Sequence, residues 1–214
     1  MTVAVSRIHF PVTTLGPGRR LGVWLQGCSL RCSGCISVDT WDGGFGQVTL
    51  DSLLEAVAVH APEADGLTVS GGEPFEQPDA LAALLLGWRQ ASDRSVFVFT
   101  GREFTDIEPW LERNPGLIDA LMTGPFRSDL PQTLALRGSD NQRLHVLTPL
   151  GAEMAVFERL STPSDRRMDV MFDEDGDVWM AGIPARADVA RLRRSLHAAG
   201  HRASTSADKG LFAE

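Results

Sequence analysis

Cys28, Cys32 and Cys35 lie within GCSLRCSGC, residues 27–35, and are the only cysteines among 214 residues. Three thiolates at intervals of three and two residues suit one metal centre. A compact loop can wrap three corners of a single iron–sulfur cube, and Ser29, Ser33 and Gly34 are small enough to let it turn. A complete cubane takes four cysteines, so this loop leaves one iron without a protein ligand. An open coordination position is what a metal centre needs to bind a reactant directly. Two rival chemistries use the same residues. Zinc could take the three sulfurs plus a distant imidazole, His9 or His60, although structural zinc sites draw on two separated ligand pairs. A redox pair at Cys32-Ser33-Gly34-Cys35 leaves Cys28 unexplained and requires the motif to open a helix.

The loop needs a frame. Val3–Phe10 and Leu21–Gln26 read as strands, the second entered through the turn-prone Gly16-Pro17-Gly18. Leu50–His60 has helical spacing, with Leu53, Leu54, Val57 and Ala58 on one face and Thr49 or Asp51 available as a cap. Gly66–Ser70 reads as a buried strand, Pro78–Gln90 as a helix, Ser95–Thr100 as a continuously apolar strand, Phe104–Arg113 as a helix and Leu117–Met122 as a strand. Strands alternating with helices imply right-handed βαβ units and a parallel sheet, whose ligands bind beyond the carboxyl ends of the strands. Three pieces fall at such ends: the cysteine loop, Ser70-Gly71-Gly72-Glu73-Pro74, and Thr100-Gly101.

Past residue 150 the texture changes. Met168–Ile183 alternates around Asp175-Gly176 as a hairpin does, and Pro184–Ala199 is amphipathic through Val189, Leu192, Leu196 and Ala199, with Gly200 as a stop. The expected division is therefore 1–150 as the core domain and 151–214 as a C-terminal extension of hairpin plus helix. The run Asp173-Glu174-Asp175-Gly176-Asp177 is read as this hairpin turn, because its glycine falls at the wrong step for a calcium loop. Arg186, Arg191, Arg193, Arg194 and Arg202 read as a solvated helix face, or as a surface for an acidic partner.

Composition bounds the function. A hydrophobic content of 43% supports a real core, and a formal charge of -8 with a pI near 5.1 argues against a general nucleic-acid binder. The longest apolar stretch, around Leu81–Leu86, is too short to span a bilayer, and the first ten residues lack a signal-peptide core. The expected compartment is the cytoplasm, with no membrane partner.

An ordered set of motifs accompanies the cysteines. Gly27 precedes the first, Gly34 the third, and Thr40-Trp41 follow. Then come Ser70-Gly71-Gly72-Glu73-Pro74, Phe99-Thr100-Gly101, Ile118-Asp119-Ala120-Leu121, Gly124-Pro125-Phe126 and the segment Leu136 to Arg143. Together they resemble the radical S-adenosylmethionine superfamily and, more narrowly, the anaerobic ribonucleoside-triphosphate reductase activating enzymes, over roughly residues 5–148. The resemblance implies an α/β fold, a partial (open) β/α barrel of mostly parallel strands, here with a small C-terminal α+β appendage. It implies a 4Fe-4S cluster on Cys28, Cys32 and Cys35. It further implies that S-adenosylmethionine chelates the fourth iron and is reductively cleaved to a 5′-deoxyadenosyl radical, which takes a hydrogen atom from a glycine of a partner enzyme. No catalytic side chain beyond the cluster ligands is implied.

On this resemblance the cofactor-binding residues are Gly34 and Ile36, flanking the adenine, with Ser70, Gly71, Gly72 and Glu73 receiving the methionine end and Thr100 reaching the ribose or methionine region. The competing reading of Glu73 is a helix N-terminal acid, and that of Thr100 is a helix cap. Arg137, Asn141, Gln142 and Arg143 form a polar group that contacts cofactor or partner, or bonds locally within a loop. The expected partners are a glycyl radical enzyme and an electron donor such as flavodoxin or ferredoxin. The extension keeps two alternatives open: a radical enzyme with another substrate (peptide, nucleotide or small metabolite), and a non-catalytic iron–sulfur or zinc interaction module.

Overall fold

A computed structural model describes residues 1–172 and 178–201. Strand β1 (Thr2–Val12) pairs antiparallel with β2 (Arg20–Leu25) on one side and with β3 (Gln47–Thr49) on the other. Helix α1 (Leu50–His60) starts where the Thr49 side chain accepts a hydrogen bond from the Ser52 amide at 3.2 Å, and it turns Leu53 and Val57 inward. β4 (Gly66–Gly71), α2 (Pro78–Ala91), β5 (Ser95–Phe99), α3 (Phe104–Arg113) and β6 (Ala120–Thr123) follow in alternation. β7 (Arg143–Val146) closes the sheet, whose order is β3-β1-β2-β4-β5-β6-β7. The four central strands β2, β4, β5 and β6 are parallel, and the pairs at both edges are antiparallel. The result is the expected α/β fold on an open sheet with a parallel centre. β3 and β7 escape the sequence pattern because both are short and neither contains a fully buried residue, so no apolar run marks them.

Alternation along the strands builds two apolar layers. Val96 and Val98 face the helices, where α2 contributes Leu81, Leu84, Leu85 and Trp88, each essentially inaccessible. Side chains of this size stabilise the fold by about 1.5–3 kcal/mol each on burial. Phe97 faces the opposite side, with Ala120, Met122, Leu136 and Met154. Leu117 and Ile118 are buried against the helices, which explains why their run reads as strand although β6 begins only at Ala120.

The second face is covered from the chain's last third. A 3-10 helix at Pro149–Phe157 supplies Met154. Strands β8 (Met168–Phe172) and β9 (Val178–Gly182) pair antiparallel, Met168 opposite Gly182, and Ala181 packs with Val12, Leu15 and Trp24. The expected turn at Asp175-Gly176, the acidic run around it and Arg202 lie outside the described residues. Helix α4 runs from Asp188 to Ala198. It starts later than its apolar periodicity suggests because the Asp188 side chain accepts from the Ala185 amide at 2.9 Å and Asp188 N donates to the Ala185 carbonyl at 2.8 Å, which makes Ala185–Asp188 a turn before the helix. Among the described residues no helix is long and apolar enough to cross a membrane.

Arg20 joins three strands from inside the protein. It is fully buried and donates to Thr68 Oγ1 at 2.7 Å, to the Leu67 carbonyl at 2.8 Å and to Ser95, with Glu153 as counterion at 3.4 Å. Burial lowers its pKa to about 10, Glu153 opposing, so the guanidinium stays charged at neutral pH. Gly66 faces it across the β2–β4 pair, and a methyl group there would collide with the guanidinium.

Candidate iron–sulfur centre

The cysteine loop leaves the carboxyl end of β2 and is bonded back to its own far side. Gly27 N donates to the Thr40 carbonyl at 2.7 Å and Cys28 N to the Trp41 carbonyl at 3.0 Å. The Gln26 side chain closes the neck, donating to the carbonyls of Asp39 and Asp42 at 2.9 and 2.8 Å. Glu76 holds the outer limb by accepting from Ser29 N at 2.7 Å. The tip turns through Gly34 at φ +77°, a conformation that favours glycine, and Cys35 N donates to the Cys32 carbonyl at 3.1 Å.

The end of β4 threads against this neck. Gly72 N donates to the Leu25 carbonyl and Glu73 N to the Gly27 carbonyl, each at 2.8 Å. A Cβ on Gly72 would collide with the Gly27 carbonyl oxygen and lie 2.9 Å from that of Thr40. The paired glycines therefore allow two backbones to touch, which fixes the cysteine loop to the sheet.

Glu73 ties the next strand in. Its carboxyl group, 1% exposed, accepts from Thr100 Oγ1 at 2.7 Å, Gly101 N at 2.8 Å and Phe75 N at 3.0 Å. Burial pushes its pKa above the ordinary carboxylate value, against those three donors and the nearby Arg102. Thr100 Oγ1 also accepts from Arg102 N at 3.1 Å. These two side chains are thus committed to each other and to the strand ends. Arg137 is likewise used locally: it is buried, donates to the carbonyls of Gln142, Ala135 and Phe157, and is paired with Glu158.

The three cysteines line one cavity of ≈ 540 Å³ beyond the carboxyl ends of β2, β4 and β5. Gly34, Ile36, Ser70, Gly71, Gly72, Glu73 and Thr100 line it too, so the expected site residues all meet in one place. A cavity of this size accommodates a cofactor or drug-sized molecule. His9 and His60 sit elsewhere: His9 pairs with Gly22 in the β1–β2 ladder and His60 stacks on Phe10, 5.4 Å between ring centroids. The zinc reading thereby loses its fourth ligand. Among the described residues no three His, Cys, Asp or Glu side chains converge as a single metal ion requires.

The donor set fits an iron–sulfur cluster. Burial raises the thiol pKa of Cys28 and of Cys35, so an isolated thiolate is disfavoured there and a cluster's iron supplies the compensating charge. Ser37 N donates to Cys35 Sγ at 3.4 Å, and the Trp41 indole N–H favours the thiolate form of the same sulfur. Hydrogen bonds to the sulfurs are among the means by which proteins tune such clusters.

Gln142, one of the polar group expected to contact cofactor or partner or to bond locally, lines the opposite wall together with Phe126 of the Gly124-Pro125-Phe126 motif. Sequence reasoning missed the rest of that wall: Ser128, Gln132 and a stretch of the extension from Gly182 to Val189. The apolar Ile183-Pro184 pair is the only signal in that stretch, and it is too short to distinguish a cavity wall from a loop.

Fold and cysteine loop define a single-cluster iron–sulfur protein, and the 4Fe-4S single cluster domain family matches residues 14–145. An anaerobic ribonucleoside-triphosphate reductase-activating protein of Enterobacteria phage T4 is 33% identical over 134 residues, 60% of this chain and 85% of the relative. The protein of that description from Escherichia coli (strain K12) is 28% identical over 148 residues, 65% of this chain and 96% of the relative. A pyruvate formate-lyase-activating enzyme of Listeria monocytogenes is 34% identical over 131 residues, 57% of this chain and 51% of the relative. The chain belongs to the radical S-adenosylmethionine activases built on one 4Fe-4S cluster, the family of the anaerobic ribonucleoside-triphosphate reductase-activating proteins.

Proposed function

We propose that this protein installs a glycyl radical on an anaerobic ribonucleoside-triphosphate reductase, using S-adenosylmethionine as the radical source. The observation that carries the reading is the single cavity bounded by all three cysteines and by the glycine-rich end of β4. When bound, the cluster supplies one electron to S-adenosylmethionine, whose C5′–S bond breaks to give methionine and the 5′-deoxyadenosyl radical; hydrogen abstraction from a partner glycine then yields 5′-deoxyadenosine and the glycyl radical.

The chain's own residues do the positioning. Cys28, Cys32 and Cys35 hold the cluster, and the absence of a fourth cysteine leaves one iron for the methionine amino and carboxylate groups. Ser70, Gly71 and Gly72 present backbone to that methionine end, while Glu73 and Thr100 keep the strand ends in register through their shared hydrogen bond. Gly34 and Ile36 flank the adenine. Flavodoxin or ferredoxin serves as electron donor, and the setting is the reducing cytoplasm, where clustered thiols stay available for iron.

The test mixes the reduced, cluster-loaded protein with S-adenosylmethionine and an anaerobic ribonucleoside-triphosphate reductase labelled with α-deuterated glycine. A glycyl radical signal in the electron paramagnetic resonance spectrum is expected, a doublet with unlabelled reductase that collapses to a narrow line with the deuterated one, together with deuterium recovered in 5′-deoxyadenosine. Formation of 5′-deoxyadenosine without the glycyl signal or deuterium would assign the radical to another substrate.

A further inference from the structure

The cavity has a wall that comes from outside the family match, which ends at residue 145. β9 terminates at Gly182, and Ile183–Arg186 then cross beside the cavity to reach α4, whose first turn adds Val189. This strap is fastened on both flanks. On the β1 side, Thr13 donates to Asp169 through its amide at 2.6 Å and its hydroxyl at 2.8 Å, Thr14 Oγ1 donates to the Ala181 carbonyl at 2.9 Å, and the Arg7 guanidinium lies 3.8 Å over the Trp179 ring. On the far side, Gln132 Nε2 donates to the Pro184 carbonyl at 3.0 Å, and Arg186 donates to the carbonyls of Ser128, Leu130 and Arg127. Arg166 adds bonds to the Gln132 and Ile183 carbonyls at 2.9 and 3.4 Å.

Its location within the cavity follows from Gly34. A Cβ built on Gly34 would lie 3.4 Å from Ser128 Cβ and 3.6 Å from the Phe126 ring. Arg186 reaches the same two residues, bonding the Ser128 carbonyl and lying 5.8 Å over the Phe126 ring. The strap therefore adjoins the tip of the cysteine loop. Its chemistry is also distinctive. Ile183, Pro184, Ala185 and Val189 are apolar, and its one cation is occupied by backbone carbonyls. A largely apolar wall whose one lining cation is hydrogen-bonded to backbone suits the flat adenine ring better than the charged methionine end.

We propose that Gly182–Val189 is a binding wall for the adenosyl portion of S-adenosylmethionine, supplied by the extension and held shut by Arg186. This assignment rests on the function proposed above and adds the residues that complete its cofactor cavity.

The test measures S-adenosylmethionine binding by equilibrium dialysis to anaerobically reconstituted full-length protein, with iron and sulfide content determined for each sample. Val189→Trp, which fills the cavity from the wall side, is expected to weaken binding about tenfold or more, equivalent to about 1.4 kcal/mol. Val189→Leu should restore most of the affinity, and Arg186→Ala should weaken it while the cluster content of all three variants stays at the wild-type level. Amide hydrogen exchange in peptides covering residues 178–201 should slow when S-adenosylmethionine is added to the wild type. Wild-type affinity in Val189→Trp and Arg186→Ala, with unchanged exchange in that segment, would overturn the wall while leaving the function intact. A cluster-loaded wild type that binds no S-adenosylmethionine would overturn both.

Discussion

Glu73 and Thr100 are joined across the ends of two adjacent parallel strands by a buried hydrogen bond of 2.7 Å. That bond connects the motif after β4 to the motif after β5, and it does so beside the cysteine loop. The two sequence motifs are thus one structural unit: the carboxylate accepts from the threonine hydroxyl, from the Gly101 amide and from the Phe75 amide at once. Glu73→Gln keeps the shape but replaces one oxygen with a donor that faces a donor. Leaving a buried polar group unsatisfied costs about 1–3 kcal/mol. Urea denaturation under anaerobic conditions should show a loss of that size for Glu73→Gln, a smaller one for Thr100→Ala, and a double variant less destabilised than the sum of the two.

Gly72 and Gly34 make different demands, and their alanine variants should separate. At Gly72 the added methyl group meets two carbonyl oxygens of the cluster loop, which have nowhere to go. Gly72→Ala should lose most of its iron on anaerobic reconstitution. At Gly34 the methyl group finds ordinary contact with Ser128, and the penalty is the positive φ alone, about 1 kcal/mol. Gly34→Ala should reconstitute close to the wild-type iron content.

Arg20 is a buried cation shared by β2, β4 and β5, far from the cysteines in the sheet. Its removal leaves the Leu67 and Ser95 carbonyls and Thr68 without their donor. Breaking such a buried network from one side costs about 3–5 kcal/mol. Arg20→Ala should lower the urea midpoint accordingly, and the same site should resist Gly66→Ala, which presses on the guanidinium.

The extension carries a pH signature. Asp165 forms a capping box with Thr162 and is paired with Arg159 at 2.7 Å; the Arg159 bond, with those from Thr162, holds its carboxyl well below the usual aspartate value. A depressed carboxylate pKa adds stability above the unfolded value of about 3.9, and that stability is lost as pH falls toward the folded value. The difference in melting temperature between wild type and Asp165→Asn should therefore be largest near neutral pH and shrink below about pH 4. A constant difference across that range would contradict the assignment.

How much of this is visible in the sequence depends on the range of the interaction. Leu50–His60 and Phe104–Arg113 are read to their observed ends because apolar residues at helical spacing define them, with the Thr49 cap opening the first. The cysteine loop, Gly71-Gly72 and Thr100-Gly101 are visible because strand ends and glycines mark them. The bond from Glu73 to Thr100 spans 27 positions, and no local pattern encodes it. Arg20 looks like an ordinary polar residue at the start of a strand, and only the absent side chain at Gly66 lets it inside. The strap is the extreme case: Arg186 reads as one of several arginines on a solvated helix, yet its partners Ser128 and Leu130 lie more than fifty residues earlier. Tertiary contacts of this kind leave no periodicity to read.

The most direct measurement is 5′-deoxyadenosine production after anaerobic iron–sulfur reconstitution, with dithionite and S-adenosylmethionine, for wild type and Cys32→Ala side by side. The wild type should release 5′-deoxyadenosine, and Cys32→Ala, lacking one of the three cluster ligands, should release none. A wild-type protein that holds an intact four-iron cluster and yields no 5′-deoxyadenosine, or one that carries stoichiometric zinc in place of iron when purified without oxygen, would contradict the radical chemistry on which the account depends.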